Sequence, residues 1–250
     1  QIEELEKTAF RTFENEMIAH LAEFSPPLFR VIKEDGVREA VRFGIERAQK
    51  YDFTFRGPIR LYLEMMLLFG SRFDTDPQYP WASEILQDRN PCPQMERAER
   101  LYEKTLDYQK SVSGPDWANF RKAVEQLLSP AQQPIEIPAN DTVAGIRREL
   151  RRIFPQKVQY VGEDELTTLI HEGIAKARKH NFPTAGAQFL MANLMFTFGH
   201  GCTSDPFYPW IGRTLEDEKI VDPSARAEQL EKKTLTWLKH ILTGEEEESI

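Results

Sequence analysis

The sequence contains few cysteines and no long apolar run. Cys92 and Cys202 lie far apart and are too few for a disulfide framework, so reduced thiols are the simpler interpretation. No apolar stretch approaches the ~20 residues needed to cross a bilayer. The acidic first residues have neither the basic nor the apolar segment of a signal peptide. These absences predict a cytoplasmic protein that does not enter the membrane.

Motifs that carry catalysis are also missing. The sequence has no G-x-S-x-G elbow, no P-loop, no G-x-G-x-x-G and no H-E-x-x-H. We therefore predict no catalytic residue and no cofactor.

An excess of basic charge is absent as well. The chain has 40 acidic and 32 basic residues, for a net charge of −8. This charge opposes non-specific nucleic-acid binding, which depends on neutralising phosphates, and it permits attraction to a basic partner. The one basic cluster, residues 147–152, has helical apolar spacing and is interpreted as a solvated helix face.

The sequence contains an internal duplication. The segment from Phe69 to Trp81 returns as Phe198 to Trp210, at an offset of 129. Held without a gap, this offset gives 27 identical residues in 77 aligned positions, from the pair Glu34 and Glu163 onward. A repeat of this size predicts one supersecondary unit present twice.

Apolar spacing predicts helices throughout both copies. The first predicted helix, residues 3–23, has a stripe of Phe10, Phe13, Met17 and Leu21. Further helices are predicted at 35–51, 57–69, 93–112, 115–128 and 223–242, with short ones opening at Pro80 and Pro209. The predicted fold is all-α, with two tandem homologous helical bundles of about five helices each around a pseudo-two-fold axis. The predicted divisions are a first repeat with an added helix (1–129), a Pro-rich linker (130–141), a second repeat (142–243) and an acidic tail (244–250).

The repeated loop carries the most conspicuous polar residues. Asp74 and Asp76 could together suit a hard cation, but the second copy keeps only one carboxylate, Asp205. The favoured interpretation is that Asp76 and Asp205 accept backbone N–H bonds and fix the turn. The aromatic residues would anchor the loops to the core or, alternatively, form an exposed binding surface; they are Tyr79, Trp81, Tyr208 and Trp210.

Two further sets of polar residues are candidate sites. Glu64 and Asn193 occupy equivalent places in the most apolar helix of each copy, so we expect buried polar groups that bond a neighbouring loop. His200 and Cys202 could begin a metal site, but no second ligand pair is visible and we predict no metal.

The segment from Phe69 to Trp81, preceded by Gly44 to Ala48 and Leu61 to Met66, resembles bacterial proteins from gene clusters of type VI secretion, spike-tip proteins and Rhs-like toxins. In the second copy Cys202 and Thr203 replace the Phe and Asp of the pattern. The resemblance implies an accessory, adaptor or immunity component, and it brings no catalytic residue with it.

The leading functional hypothesis is therefore a non-enzymatic protein that binds another protein, such as a secreted toxin or its delivery machinery. One alternative is a metal-dependent enzyme that uses Asp74, Asp76 and Glu64, or His200 and Cys202. Another is a self-assembling structural protein. The sequence does not decide the oligomeric state.

Overall fold

The computed structural model describes residues 2–89, 92–128, 135, 137–138 and 140–243. Within these ranges the chain forms α-helices and short 3-10 and π turns, with no β-strand. The fold is therefore all-α. The predicted acidic tail and most of the predicted linker lie outside the described residues.

The described residues of the first half of the chain form six α-helices. They are α1 (Ile2–Phe24), α2 (Pro26–Gln49), α3 (Arg56–Phe69), α4 (Pro80–Gln87), α5 (Gln94–Tyr108) and α6 (Ala118–Leu128). A 3-10 turn at Phe73–Thr75 precedes α4, and a π turn at Gln109–Ser113 follows α5.

Six more α-helices lie in the second half, within the part of it that the structure describes. They are α7 (Thr142–Ile153), α8 (Pro155–Val161), α9 (Glu163–Lys179), α10 (Ala185–Phe198), α11 (Pro209–Leu215) and α12 (Pro223–Thr243). A 3-10 turn at Cys202–Ser204 precedes α11. Asp141 caps α7, because its side chain accepts a hydrogen bond from the Ala144 N–H at 3.2 Å.

The helix boundaries differ from the sequence prediction around α2 and α8. Helix α2 begins at Pro26 instead of residue 35, and it kinks at Lys33, where φ is 60° and ψ is 178°. At the equivalent place in the second half, Gly162 has φ 94° and ψ 165°, and the chain divides into α8 and α9. The break at Lys33 carries no sequence signal, and α8 was not predicted although Pro155 and Gly162 bound it.

Most of the apolar stripe on α1 is buried. Phe13, Met17 and Leu21 lie in the core, whereas Phe10 is 41% exposed. Phe10 lies in the N-terminal half of α1, where most described side chains are exposed.

Two glycines allow helices to approach closely. A Cβ on Gly44 would lie 2.6 Å from the Met66 sulfur of α3. A Cβ on Gly173 would lie 2.8 Å from the Cα of Ala192 in α10. Both distances are shorter than a normal contact, so the absence of a side chain allows α2 to pack on α3 and α9 on α10.

Buried side chains from both halves form one continuous hydrophobic cluster, which extends from Phe13 to Leu238. Helix α6 packs against α12, and α8 packs against the π turn that follows α5. The two halves therefore share buried surface. In the described part of the chain, no helix is both long enough and apolar enough to span a membrane.

Candidate functional site: the paired aspartyl loops

The two copies of the repeated loop meet at the centre of the molecule. We call residues 70–79 and 199–208 the first and second aspartyl loops. Gly70 and Gly199 begin them, with φ of 94° and 91°. A Cβ on Gly70 would fall against the Phe198 carbonyl, and one on Gly199 would lie 2.7 Å from the Phe69 carbonyl. Both positions therefore require glycine, because the positive φ disfavours other residues and a side chain would collide with the opposite loop.

Each loop carboxylate hydrogen bonds both its own loop and the other one. Asp76 accepts the Gln78 N–H on Oδ1 at 2.9 Å and the His200 N–H on Oδ2 at 2.6 Å. Asp205 accepts the Phe207 N–H on Oδ1 at 2.9 Å and the Ser71 N–H on Oδ2 at 2.7 Å. The local bonds are those the sequence predicts. The bonds between loops are additional and lock the loops together.

Burial sets the electrostatics of these carboxylates. Asp76 is 3% and Asp205 2% exposed. Desolvation raises the pKa of Asp205 to about 6, against four opposing effects, of which the hydrogen bond from Ser71 is the largest. Desolvation also raises the pKa of Asp76, and nearby His200 and Lys157 oppose that shift.

Asp74 is paired with a cation from the protein itself. The Arg47 guanidinium donates to both carboxylate oxygens at 2.6 Å, and the Tyr51 hydroxyl donates to Oδ2 at 2.9 Å. In the second copy Thr203 replaces Asp74 and Lys176 replaces Arg47, and Lys176 donates instead to the His200 carbonyl at 2.7 Å. Acid and arginine therefore change together between copies, which identifies Asp74 as half of a buried ion pair.

The loop aromatic residues face inward. Tyr79 lies 4.8 Å from Phe69 and Tyr208 lies 4.7 Å from Phe198, measured between ring centroids. Tyr79, Tyr208 and Trp210 are buried, and Trp81 is half-buried. These rings anchor the loops to the core. The three buried rings cannot form an exposed aromatic binding surface.

Glu64 and Asn193 have different surroundings, contrary to expectation. Glu64 is half-buried and not fully buried, with its carboxylate 2.6 Å from His20 Nε2 and 3.0 Å from Arg60 Nε. Asn193 is 4% exposed, and its Oδ1 has no hydrogen-bond partner. Helix α1 packs against α3 and supplies His20 to Glu64.

His200 and Cys202 are not arranged as a pair of metal ligands. His200 approaches Thr75 Oγ1 at 3.2 Å and Glu172 at 3.6 Å. Cys202 is fully buried, and desolvation raises its pKa to about 12, which keeps it a thiol. The residues that the structure describes contain no group of three or more His, Cys, Asp or Glu side chains that could hold a metal.

The basic cluster of α7 forms ion pairs along the helix surface. Arg147 and Arg151 pair with Glu163, and Arg148 and Arg152 pair with Glu149. The four arginines therefore lie along a salt-bridged helix face, in which two carboxylates balance two of the four positive charges.

Sequence reasoning missed two features. One is a set of exposed apolar residues that we call the α5 stripe: Phe55, Met95, Tyr102 and Leu106, exposed by 57%, 55%, 52% and 46%. Met95, Tyr102 and Leu106 share one face because they are seven and four residues apart, and the Phe55 N–H bonds Gln94 at the start of α5.

The second missed feature is Lys157, a buried lysine in α8. Its sequence signal lies in the duplication, since the 129 offset aligns Lys157 with the buried Leu28.

No protein-family model matches the chain, and no curated protein or solved structure shows significant similarity to it.

Proposed function

We propose that this chain is a non-enzymatic protein-binding protein whose partner docks on the α5 stripe. The observation that carries the proposal is that three of the four stripe residues are polar in the second copy, whereas Leu106 aligns with Leu235. Met95, Tyr102 and Phe55 correspond to Ser224, Glu231 and Thr184 in the second copy. The repeat framework therefore tolerates polar residues there, and exposed large apolar groups are typical of a binding face.

The charge beside the stripe indicates the chemistry of the partner. Glu96, Glu99, Glu103 and Asp107 are exposed on α5, and helical spacing places them along one flank of the stripe. An apolar strip with an acidic flank complements an apolar surface bordered by basic groups, and the net charge of −8 adds long-range attraction. The resemblance noted above suggests that the partner is a toxin or a component of its delivery machinery.

The proposal includes the arrangement of the two repeats. We place them about a pseudo-two-fold axis that passes between the aspartyl loops. What supports this is the reciprocity of the contacts there, with Gly70 against Gly199 and each aspartate bonded to the other loop. Such a joint holds the two bundles as one rigid support for the binding face.

Capture of the products of adjacent genes by the tagged protein tests the function. The double variant Met95→Ser with Tyr102→Glu takes residues that the second copy already has, so it should fold while its affinity for the partner falls at least tenfold. Val221→Ser is the matched control, because Val221 is an 83% exposed apolar residue outside the stripe.

The outcomes separate the alternatives. Unchanged partner affinity in the double variant contradicts the assignment of the stripe. A defined oligomer of the protein alone, lost in the same variant, would instead favour self-assembly. Growth rescue on co-expression with a neighbouring toxin indicates an immunity role, whereas failed toxin secretion after deletion of the gene indicates an adaptor.

A further inference from the structure

A cavity of about 700 Å³ opens between the two halves of the chain. It is bordered by the junction of α1 and α2, the end of α3, α6, the start of α8 and the end of α12. Its volume lies within the ~300–1,000 Å³ typical of small-molecule sites. It is separate from the α5 stripe, because none of the four stripe residues lines it.

The walls of the cavity are largely apolar. Leu67, Leu68, Phe198, Trp237 and Ile241 contribute aliphatic and aromatic surface. Trp237 is 5% exposed and packs edge-on against Phe198, with the ring centroids 5.0 Å apart.

The charges of the cavity wall contrast with those of the whole protein. Lys157 and Arg121 line the cavity, and no Asp or Glu is among its described lining residues. In a chain with a net charge of −8, a cavity with two cations and no carboxylate favours an anion.

Lys157 is the more informative of the two cations because it is 7% exposed. Its ammonium donates to the Phe196 carbonyl and lies 4.6 Å from the centroid of the Phe196 ring. No ion pair of Lys157 within 4 Å is found among the described residues. Desolvation lowers its pKa to about 8, while Asp76 opposes the shift, so the side chain is still mostly protonated at pH 7.

The duplication shows that this cation is not needed to fill space. The equivalent residue, Leu28, is also buried and also lines the cavity. Burying an ammonium without a carboxylate partner costs free energy that a leucine does not. An anion bound in the cavity would supply the ion-pair partner that Lys157 lacks among the described residues.

We propose that this cavity binds an amphipathic carboxylic acid, with the carboxylate paired to Lys157 and the apolar chain against Leu68, Phe198 and Trp237. Arg121 supports the anionic end from the wall of the cavity. This site is independent of the proposed partner-binding stripe.

The test compares decanoate with 1-decanol, which has the same chain without the charge. Isothermal titration calorimetry of the full chain at pH 7 should give a dissociation constant at least tenfold lower for decanoate. Fluorescence should change as well, because Trp117 and Trp237 line the cavity. Equal affinities, a preference for decanol, or no decanoate binding would overturn the proposal.

Two variants locate the site. Lys157→Met should keep decanol binding and lose the preference for decanoate, whereas a purely structural lysine would change stability and leave the preference intact. Leu68→Trp should block both ligands by filling the cavity. If Lys157→Met does not fold, Arg121→Gln is tested in its place. An unchanged preference for decanoate over decanol in Arg121→Gln would contradict the proposal. Val221→Ser, at an exposed position outside both the cavity and the stripe, is the control and should bind both ligands normally.

Discussion

The carboxylate of Asp76 lies 2.6 Å from the backbone nitrogen of His200, a residue 124 positions later in the chain. Asp205 makes the counterpart bond to the nitrogen of Ser71 at 2.7 Å. Each aspartate thus satisfies a buried donor in the loop of the other copy. These two hydrogen bonds join the loops to each other.

Removing the Asp205 carboxylate should destabilise the fold. Asp205→Ala leaves the N–H groups of Ser71 and Phe207 without acceptors, so we expect a loss of about 2–5 kcal/mol in the free energy of unfolding. Urea denaturation measures it. Asp217→Ala is the matched control: Asp217 accepts the Lys219 N–H at 3.0 Å in an exposed turn without a cross-loop bond. Asp217→Ala should lower the free energy of unfolding by less than about 1 kcal/mol. Equal losses in the two variants would mean that the cross-loop bond contributes nothing.

Asp205 should also make the folded protein more stable as the pH falls, which is the opposite of the usual effect of a carboxylate. Its folded pKa of about 6 exceeds the ordinary 3.8, so the folded state binds more protons between these values. Its contribution is fully present below about pH 4 and is lost as pH rises through about 6. Relative to Asp205→Asn, which does not titrate there, the native protein should gain stability from pH 7 to pH 4.5. A difference that is constant with pH contradicts this.

The Arg47–Asp74 pair should behave as a coupled unit. Asp74→Thr introduces the residue of the second copy but strands a largely buried guanidinium, at a cost of about 3–5 kcal/mol. Adding Arg47→Lys introduces the partner that the second copy has at the equivalent position. A double-mutant cycle measured by chemical denaturation should therefore show the double variant losing less than the sum of the single losses. Strict additivity would show that the two side chains act independently.

Lys33→Gly should stabilise the protein. Lys33 has φ 60° and ψ 178°, a region that glycine adopts readily and other residues avoid at a cost of about 1–3 kcal/mol. After the added chain entropy of glycine in the unfolded state, we expect a net gain of about 1 kcal/mol by thermal unfolding. Lys122→Gly, an exposed position inside α6, should instead lose about 1 kcal/mol. A loss at both positions would contradict the assigned kink.

The two loop tryptophans should differ in their contribution to stability. Sequence equivalence predicts about 3–5 kcal/mol for truncation of either ring. Trp210 is 4% exposed, whereas Trp81 is half-buried. We expect Trp210→Ala to cost that full amount and Trp81→Ala clearly less, measured by chemical denaturation. The reverse order would be inconsistent with the observed burial.

The sequence by itself predicted the helical class, most helix positions and the inward-facing loop aromatics, because these depend on local spacing, proline placement and side-chain polarity. The offset of 129 aligns Gly44 with Gly173, and both glycines lie at close helix contacts in the structure. It did not reveal the kink at Lys33, since a lysine carries no local signal for positive φ.

Tertiary structure alone decided which groups meet across more than a hundred residues. The bonds from Asp76 to His200 and from Asp205 to Ser71, the cavity around Lys157 and the exposure of Tyr102 all depend on how the helices pack. Local sequence patterns describe the periodicity along one helix, but they do not show which helices are its neighbours. The sequence therefore cannot distinguish a carboxylate that only fixes its own turn from one that also joins two loops.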